Sequence, residues 1–140
     1  MARRILESSV VLVIGLVLAA VFVSPSWAIN FETIRNNMNK MTSVAWDDYT
    51  KSLKGQSVNW TGWVSDVKEQ WLGGYKILID MDPPGSFSVS DIYIEDLPKN
   101  VAAQFRKEQK VRLSGKIKSV VNVLGSLAVT LDNANISPVY

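Results

Sequence analysis

Asp80 and Asp82, two residues apart and followed by Gly85, have the spacing of the start of a cation loop, in which oxygen ligands alternate ahead of a glycine turn. The pattern stops there. No third acid and no closing glutamate stand at the required spacing, and Pro83 and Pro84 fill the loop. The pair reads as a solvated strand end, and no metal is expected. Asp47 and Asp48 are adjacent in a stretch with helical spacing, so their side chains diverge and cannot share a substrate. The chain has no histidine and no cysteine, which removes imidazole bases, thiolate nucleophiles, disulfides and the usual zinc ligands together. No Gly-x-Ser-x-Gly elbow accompanies the serines, and Gly73-Gly74 and Gly85 lack the spacing of a phosphate cradle. The sequence therefore reads as a non-enzyme without a cofactor, and binding is the chemistry left to look for.

At 140 residues the chain holds one domain and a targeting segment. Arg3 and Arg4 precede an apolar run from Val10 to Val23, then Pro25 and the small-residue pattern Ser26-Trp27-Ala28. This is the layout of an export signal over residues 1–28, with cleavage after Ala28. Fourteen apolar residues rise about 21 Å as a helix, short of the ~30 Å hydrocarbon core. Export to the periplasm or the exterior is expected; the alternative is an uncleaved anchor in the inner membrane over residues 5–23. Such an anchor would be the chain's sole contact with a membrane.

The elements that would position a binding surface are organised by a repeat. Residues 54–67 read KGQSVNWTGWVSDV and residues 107–120 read KEQKVRLSGKIKSV. Aligned without a gap, they match Val58 with Val111, Trp60 with Leu113, Gly62 with Gly115 and Val64 with Ile117. Apolar groups on alternate positions around an internal glycine mark a strand half-buried on one face and bent at the glycine. Trp60 falls on the core face, and Trp63, on the other, is expected beneath the N-terminal helices.

Those helices come first, in a segment over 29–53. Phe31, Ile34, Met38 and Met41 recur at helical spacing within 30–42, and Thr42 or Ser43 caps a second helix to about Leu53, ended by Gly55. The barrel segment, 54–140, opens with the first repeat as a strand to about Lys68. A second strand over 75–82 is stopped by Pro83 and Pro84, and a third is expected over 88–94. Val101 to Phe105 suits a helix of about two turns. The second repeat is the fourth strand, 121–126 is a turn, and the fifth strand begins at Leu127 and fades near Asn133 to Pro138.

Three strands, a helix and two strands follow the order of the OB-fold, a five-stranded Greek-key barrel with a helix between its third and fourth strands. The expected class is mainly β, with one or two helices and a signal peptide ahead of the barrel. An SH3-like barrel is the runner-up. Through Val58-Asn59-Trp60-Thr61-Gly62-Trp63-Val64, Asp91-Ile92-Tyr93 and Val111-Arg112-Leu113-Ser114-Gly115-Lys116-Ile117, the chain resembles exported, single-domain bacterial OB-fold proteins of the anticodon-binding-like superfamily. The likeness spans residues 54–136.

An OB barrel binds through the outer face of its second and third strands and the loops that flank them. Here those places hold Lys68, Trp71, Tyr75, Lys76 and Tyr93, with Asn122 and Ser126 across the groove. Aromatic faces beside lysines stack bases or sugar rings; the structural alternative puts Tyr75 inside the barrel with Ile77 and Trp71 over a barrel end. Charge gives a second surface. Residues 43–96 hold nine acids against four lysines, whereas residues 99–118 hold Lys99, Arg106, Lys107, Lys110, Arg112, Lys116 and Lys118 against Glu108 alone. Strand alternation is expected to spread these cations over both faces, so a merely soluble surface and a polyanion site both fit. The expected function is a non-catalytic interaction module for a protein or small polar ligand. A binder of single-stranded nucleic acid or oligosaccharide and a membrane-tethered scaffold subunit are the alternatives, with nucleic acid disfavoured by export.

Overall fold

The computed structural model describes residues 29–85 and 89–140; the export signal read over 1–28 lies outside the described residues. Two helices come first, α1 (Phe31–Lys40) and α2 (Ser43–Leu53). Asn30 caps α1, its side-chain oxygen accepting from the Glu32 N–H at 2.8 Å, and Thr42 caps α2 by accepting from Ala45. Glu32 in the first turn and Lys40 in the last complement the helix dipole. Phe31, Ile34 and Met38 form the buried stripe of α1. Each such side chain taken out of water contributes about 1.5–3 kcal/mol.

Five strands follow, β1 (Ser57–Glu69), β2 (Tyr75–Asp80), β3 (Ile92–Leu97), β4 (Lys110–Val123) and β5 (Ser126–Pro138), with a single-turn helix α3 (Lys99–Ala102) between β3 and β4. They close into a barrel in the order β1-β2-β3-β5-β4. Every pairing is antiparallel except β3 with β5. This mainly β, five-stranded closed barrel is consistent with an OB-like fold. Ile77, Ile79, Ile92, Ile94, Leu113 and Val129 fill its interior, in one cluster with the stripe of α1. Phe31 meets Trp60 edge to face at 5.5 Å, and the Trp60 indole donates to the Ile29 carbonyl at 2.6 Å, so α1 is fastened to the barrel at its first turn.

The two repeats are hydrogen-bonded to each other. Trp60, matched with Leu113 in the alignment, also faces Leu113 across the ladder; Val58 pairs with Gly115 and Gly62 with Val111. The β1–β4 ladder therefore has a local two-fold relation centred on Trp60 and Leu113. Both glycines are required by close approach. A Cβ on Gly62 would lie 2.7 Å from the Asp80 carbonyl oxygen and 2.7 Å from the Ile79 side chain, and one on Gly115 would lie 2.9 Å from the Asp132 carbonyl oxygen. At Gly62 the strand passes from its pairing with β4 to its pairing with β2. The barrel turns a corner there.

Several boundaries depart from the sequence reading. The third strand starts at Ile92, with Asp91 already donating its N–H to Ile79, and of its expected start Ser88 lies outside the described residues. β2 stops at Asp80, because the Met81 N–H is taken by the Asp91 carboxylate. The helix after Pro98 is one turn rather than two, continued by i to i+3 bonds from Gln104 and Phe105 that still bury Phe105. β4 runs on to Val123, and the expected six-residue turn shrinks to Leu124-Gly125, both at positive φ. β5 does not fade at Asn133: β4 supplies a partner as far as Pro138.

Candidate functional site

The loop between β1 and β2 is built to display two apolar side chains. Its Gln70 N–H donates to the Gly74 carbonyl at 2.9 Å, and the Gln70 side-chain oxygen accepts from the Asp96 N–H at 2.8 Å, which ties the loop to the end of β3. Gly73 and Gly74 adopt positive φ, a conformation that suits glycine. At the tip Trp71 is 100% exposed and Leu72 98%. The alternative in which Trp71 covers a barrel end is thereby overturned. A neighbouring pair of large apolar side chains wholly in water is unfavourable without a partner.

The other residues read as a groove divide by strand parity. Lys68 faces Lys76, and Leu78 stands between Asp66 and Tyr93, on the outer face of β1, β2 and β3. Lys68 lies 3.9 Å from Asp66. Tyr75 has the inward parity of Ile77 but is half-buried at the strand end, opposite Glu69 and Leu97. Asn122 sits at the β4–β5 turn, where its side-chain oxygen accepts from the Gly125 N–H at 2.8 Å and so holds the turn. That turn belongs to the end at which β3 begins, while Trp71 belongs to the end at which it finishes, given the antiparallel β2–β3 and parallel β3–β5 registers. The structure thus sets Lys68 and Lys76 beside the Trp71 loop, Tyr93 farther along the same outer face toward the start of β3, and Asn122 and Ser126 at the other end.

The basic residues are arranged differently from the expectation. Lys110, Arg112, Lys116 and Lys118 share one parity, because Val111, Leu113 and Ile117 take the inward positions; they lie on one outer face, not two. The signal was present in the even spacing of these numbers. Across the β1–β4 ladder Trp63 faces Lys110, Thr61 faces Arg112, Asn59 faces Ser114 and Ser57 faces Lys116. β5 extends the rows with Ser137, Asn135 and Asp132. The Lys110 ammonium lies 5.8 Å from the Trp63 ring centroid, so Trp63 belongs to this outer face and is met by a cation there. Lys118 is 3.9 Å from Glu95. Among the described residues, Lys107, Lys110, Arg112 and Lys116 form no ion pair within 4.0 Å. Lys99 opens α3, and Arg106 and Lys107 lie on the connection to β4, all exposed.

A third polar cluster joins α1 to the barrel. Arg35 donates to both carboxylate oxygens of Asp82 at 3.2 and 3.1 Å, and one of the same nitrogens lies 3.5 Å from Asp91. Asp91 is 6% exposed and accepts from the Met81 N–H at 2.8 Å. Burial pushes its carboxyl up to about 6, against the opposing pull of the Met81 N–H and Arg35. Asp82, and Met81 through Asp91, are thus engaged in fastening α1, a role the spacing of the two acids did not reveal.

Compared with known proteins, the chain matches no family model, and no curated protein sequence matches it significantly.

Proposed function

We propose that this protein is an exported, non-catalytic binding module whose barrel is a scaffold and whose partner, a protein or a small polar ligand, docks on the outer surface beside the β1–β2 loop. The observation that carries the reading is the fully exposed Trp71-Leu72 tip, held by hydrogen bonds that fix the loop without burying either side chain. The interior is packed with aliphatic side chains, so a ligand is expected on the outside. Lys68 and Lys76 supply polar contacts beside the tip, and Tyr93 extends the same outer face away from it. Export is supported by the leader pattern and by Ile29: a cut after Ala28 would leave as first residue the one whose carbonyl Trp60 holds.

A photoreactive amino acid at position 71 in the cells that make the protein tests the docking surface. A discrete adduct from position 71, absent when the probe stands at exposed Lys51, is expected. No adduct, or the same adduct from both positions, would defeat the reading. Mass measurement of the recovered protein tests the export part, for which a chain starting at Ile29 is the expected result.

A further inference from the structure

We infer that the outer face of β1, β4 and β5 is a second binding site, separate from the Trp71 loop, for a linear acidic oligosaccharide that carries neutral as well as charged sugars. The face presents its groups in rows about 7 Å apart, two residues along each strand. Trp63 with Lys110 makes the first row, Arg112 with Thr61 and Ser137 the second, Asn59 with Ser114 and Asn135 the third, and Lys116 with Ser57 and Asp132 the fourth. Cation, cation, neutral amide and hydroxyl, then a cation beside an acid is therefore the order along about 20 Å of strand.

Three properties of the face select the ligand. First, none of the three cations in these rows is ion-paired within 4.0 Å among the described residues, Lys118 farther along β4 being the one that meets Glu95; the acids nearest in sequence or register are Glu108 beyond Lys110 and Asp132 opposite Lys116. At Lys110 and Arg112, which face no acid across the ladder, anions are attracted with little internal competition. Secondly, the third row supplies two amides, each both donor and acceptor, and a hydroxyl, which is the pairing that sugar hydroxyls need. A chain with a charge on every unit would set an anion against that row, where no cation stands to meet it. Thirdly, a single aromatic, Trp63, is present. One platform suits the apolar face of one sugar, whereas single-stranded nucleic acid is gripped by successive aromatics along its path. Beside Asn59 and Thr61 the face opens into a recess of about 330 Å³ bounded by Asn30 and Glu32, room for a neutral sugar substituent.

The site stands on residues that the Trp71 surface does not use, so either can fail alone. The test is a two-dimensional NMR titration of the full mature chain with a hyaluronan hexasaccharide, cellohexaose and the oligonucleotide dT6 at low salt. The acidic hexasaccharide is expected to shift amides of β1 and β4 and to bind at least tenfold more tightly than either comparison ligand. The double variant Lys110→Ser with Arg112→Asn, at exposed positions, should weaken it at least tenfold with an unchanged melting midpoint, while Trp71→Ala should leave it unaltered. Absence of binding, equal or tighter binding of dT6, equal binding of cellohexaose, an undiminished double variant, or loss of binding in Trp71→Ala would each overturn the assignment.

Discussion

β1 and β4 agree on the side that faces the barrel interior and differ on the side that faces water. Inside, Val58 answers Val111, Trp60 answers Leu113, Gly62 answers Gly115 and Val64 answers Ile117. Outside, the same alignment sets Ser57, Asn59, Thr61 and Trp63 against Lys110, Arg112, Ser114 and Lys116. The inner rows have a common task, because each strand must bend around the same core and pass close beneath a neighbour. The outer rows have no packing task in common. Their divergence places charge on one strand and neutral polar groups with an aromatic on the other, and the ladder lays the two sets side by side.

The matched glycines are where this equivalence breaks most readily. Gly62→Ala is expected to cost about 3 kcal/mol, the upper part of the range for overpacking, since the new methyl meets both a carbonyl oxygen and the Ile79 side chain at 2.7 Å. Gly115→Ala, whose nearest atoms lie at 2.9 and 3.1 Å, should cost about half as much. Urea unfolding of the two variants measures the gap, and equal losses would mean that the corners are interchangeable.

A second contrast sets the aliphatic interior against Asp91, the one charged residue buried among those described. Its native carboxyl holds a proton up to about pH 6, whereas the unfolded value is 3.8. Between these values the native state binds more protons, so this group's stabilisation is complete below about pH 3.8 and is lost as pH rises through about 6, by about 3 kcal/mol. In Asp91→Asn that component should vanish, which melting midpoints compared between pH 4 and pH 7 against wild type would reveal.

Trp60 and Leu113 occupy the centre of the local two-fold, yet Trp60 alone also donates to Ile29. Trp60→Phe keeps most of the packing and removes that bond, for an expected loss of about 1–2 kcal/mol. Amide exchange should rise in the first turn of α1 more than in β4. Uniform loosening would argue that the indole N–H has no special hold on the helix.

What could be read beforehand follows the same inner and outer division. The buried rows were legible because alternation and a glycine at matched places leave few other structures for residues 54–67 and 107–120. The start of the second helix at Thr42 or Ser43 was visible for a similarly local reason. The extension of β5 through Asn133 to Pro138 was not, since Asn, Ser and Pro are poor strand formers and only a long partner strand overrides them. The onset of β3 was obscured because Ser86-Phe87-Ser88-Val89-Ser90 itself alternates polar and apolar residues, so the pattern does not mark Ile92 as the strand's start. For the cations, the parity of 110, 112, 116 and 118 was in the sequence, but counting charges across helix and strand together hid it. The Arg35 tie to Asp82 and Asp91 spans 47 and 56 residues, a separation that spacing rules do not reach.

The central claim, that the inner rows make the fold and the outer rows make the binding surface, is tested most directly by giving β4 the outer row of β1. The variant Lys110→Ser, Arg112→Asn, Ser114→Thr, Lys116→Trp leaves every inward residue in place. Its melting midpoint, recorded beside its affinity for the acidic hexasaccharide, is the decisive pair of readings. A midpoint within a few degrees of wild type, with affinity at least tenfold weaker, is the predicted result. A collapsed midpoint, or an affinity that survives the exchange, would contradict it.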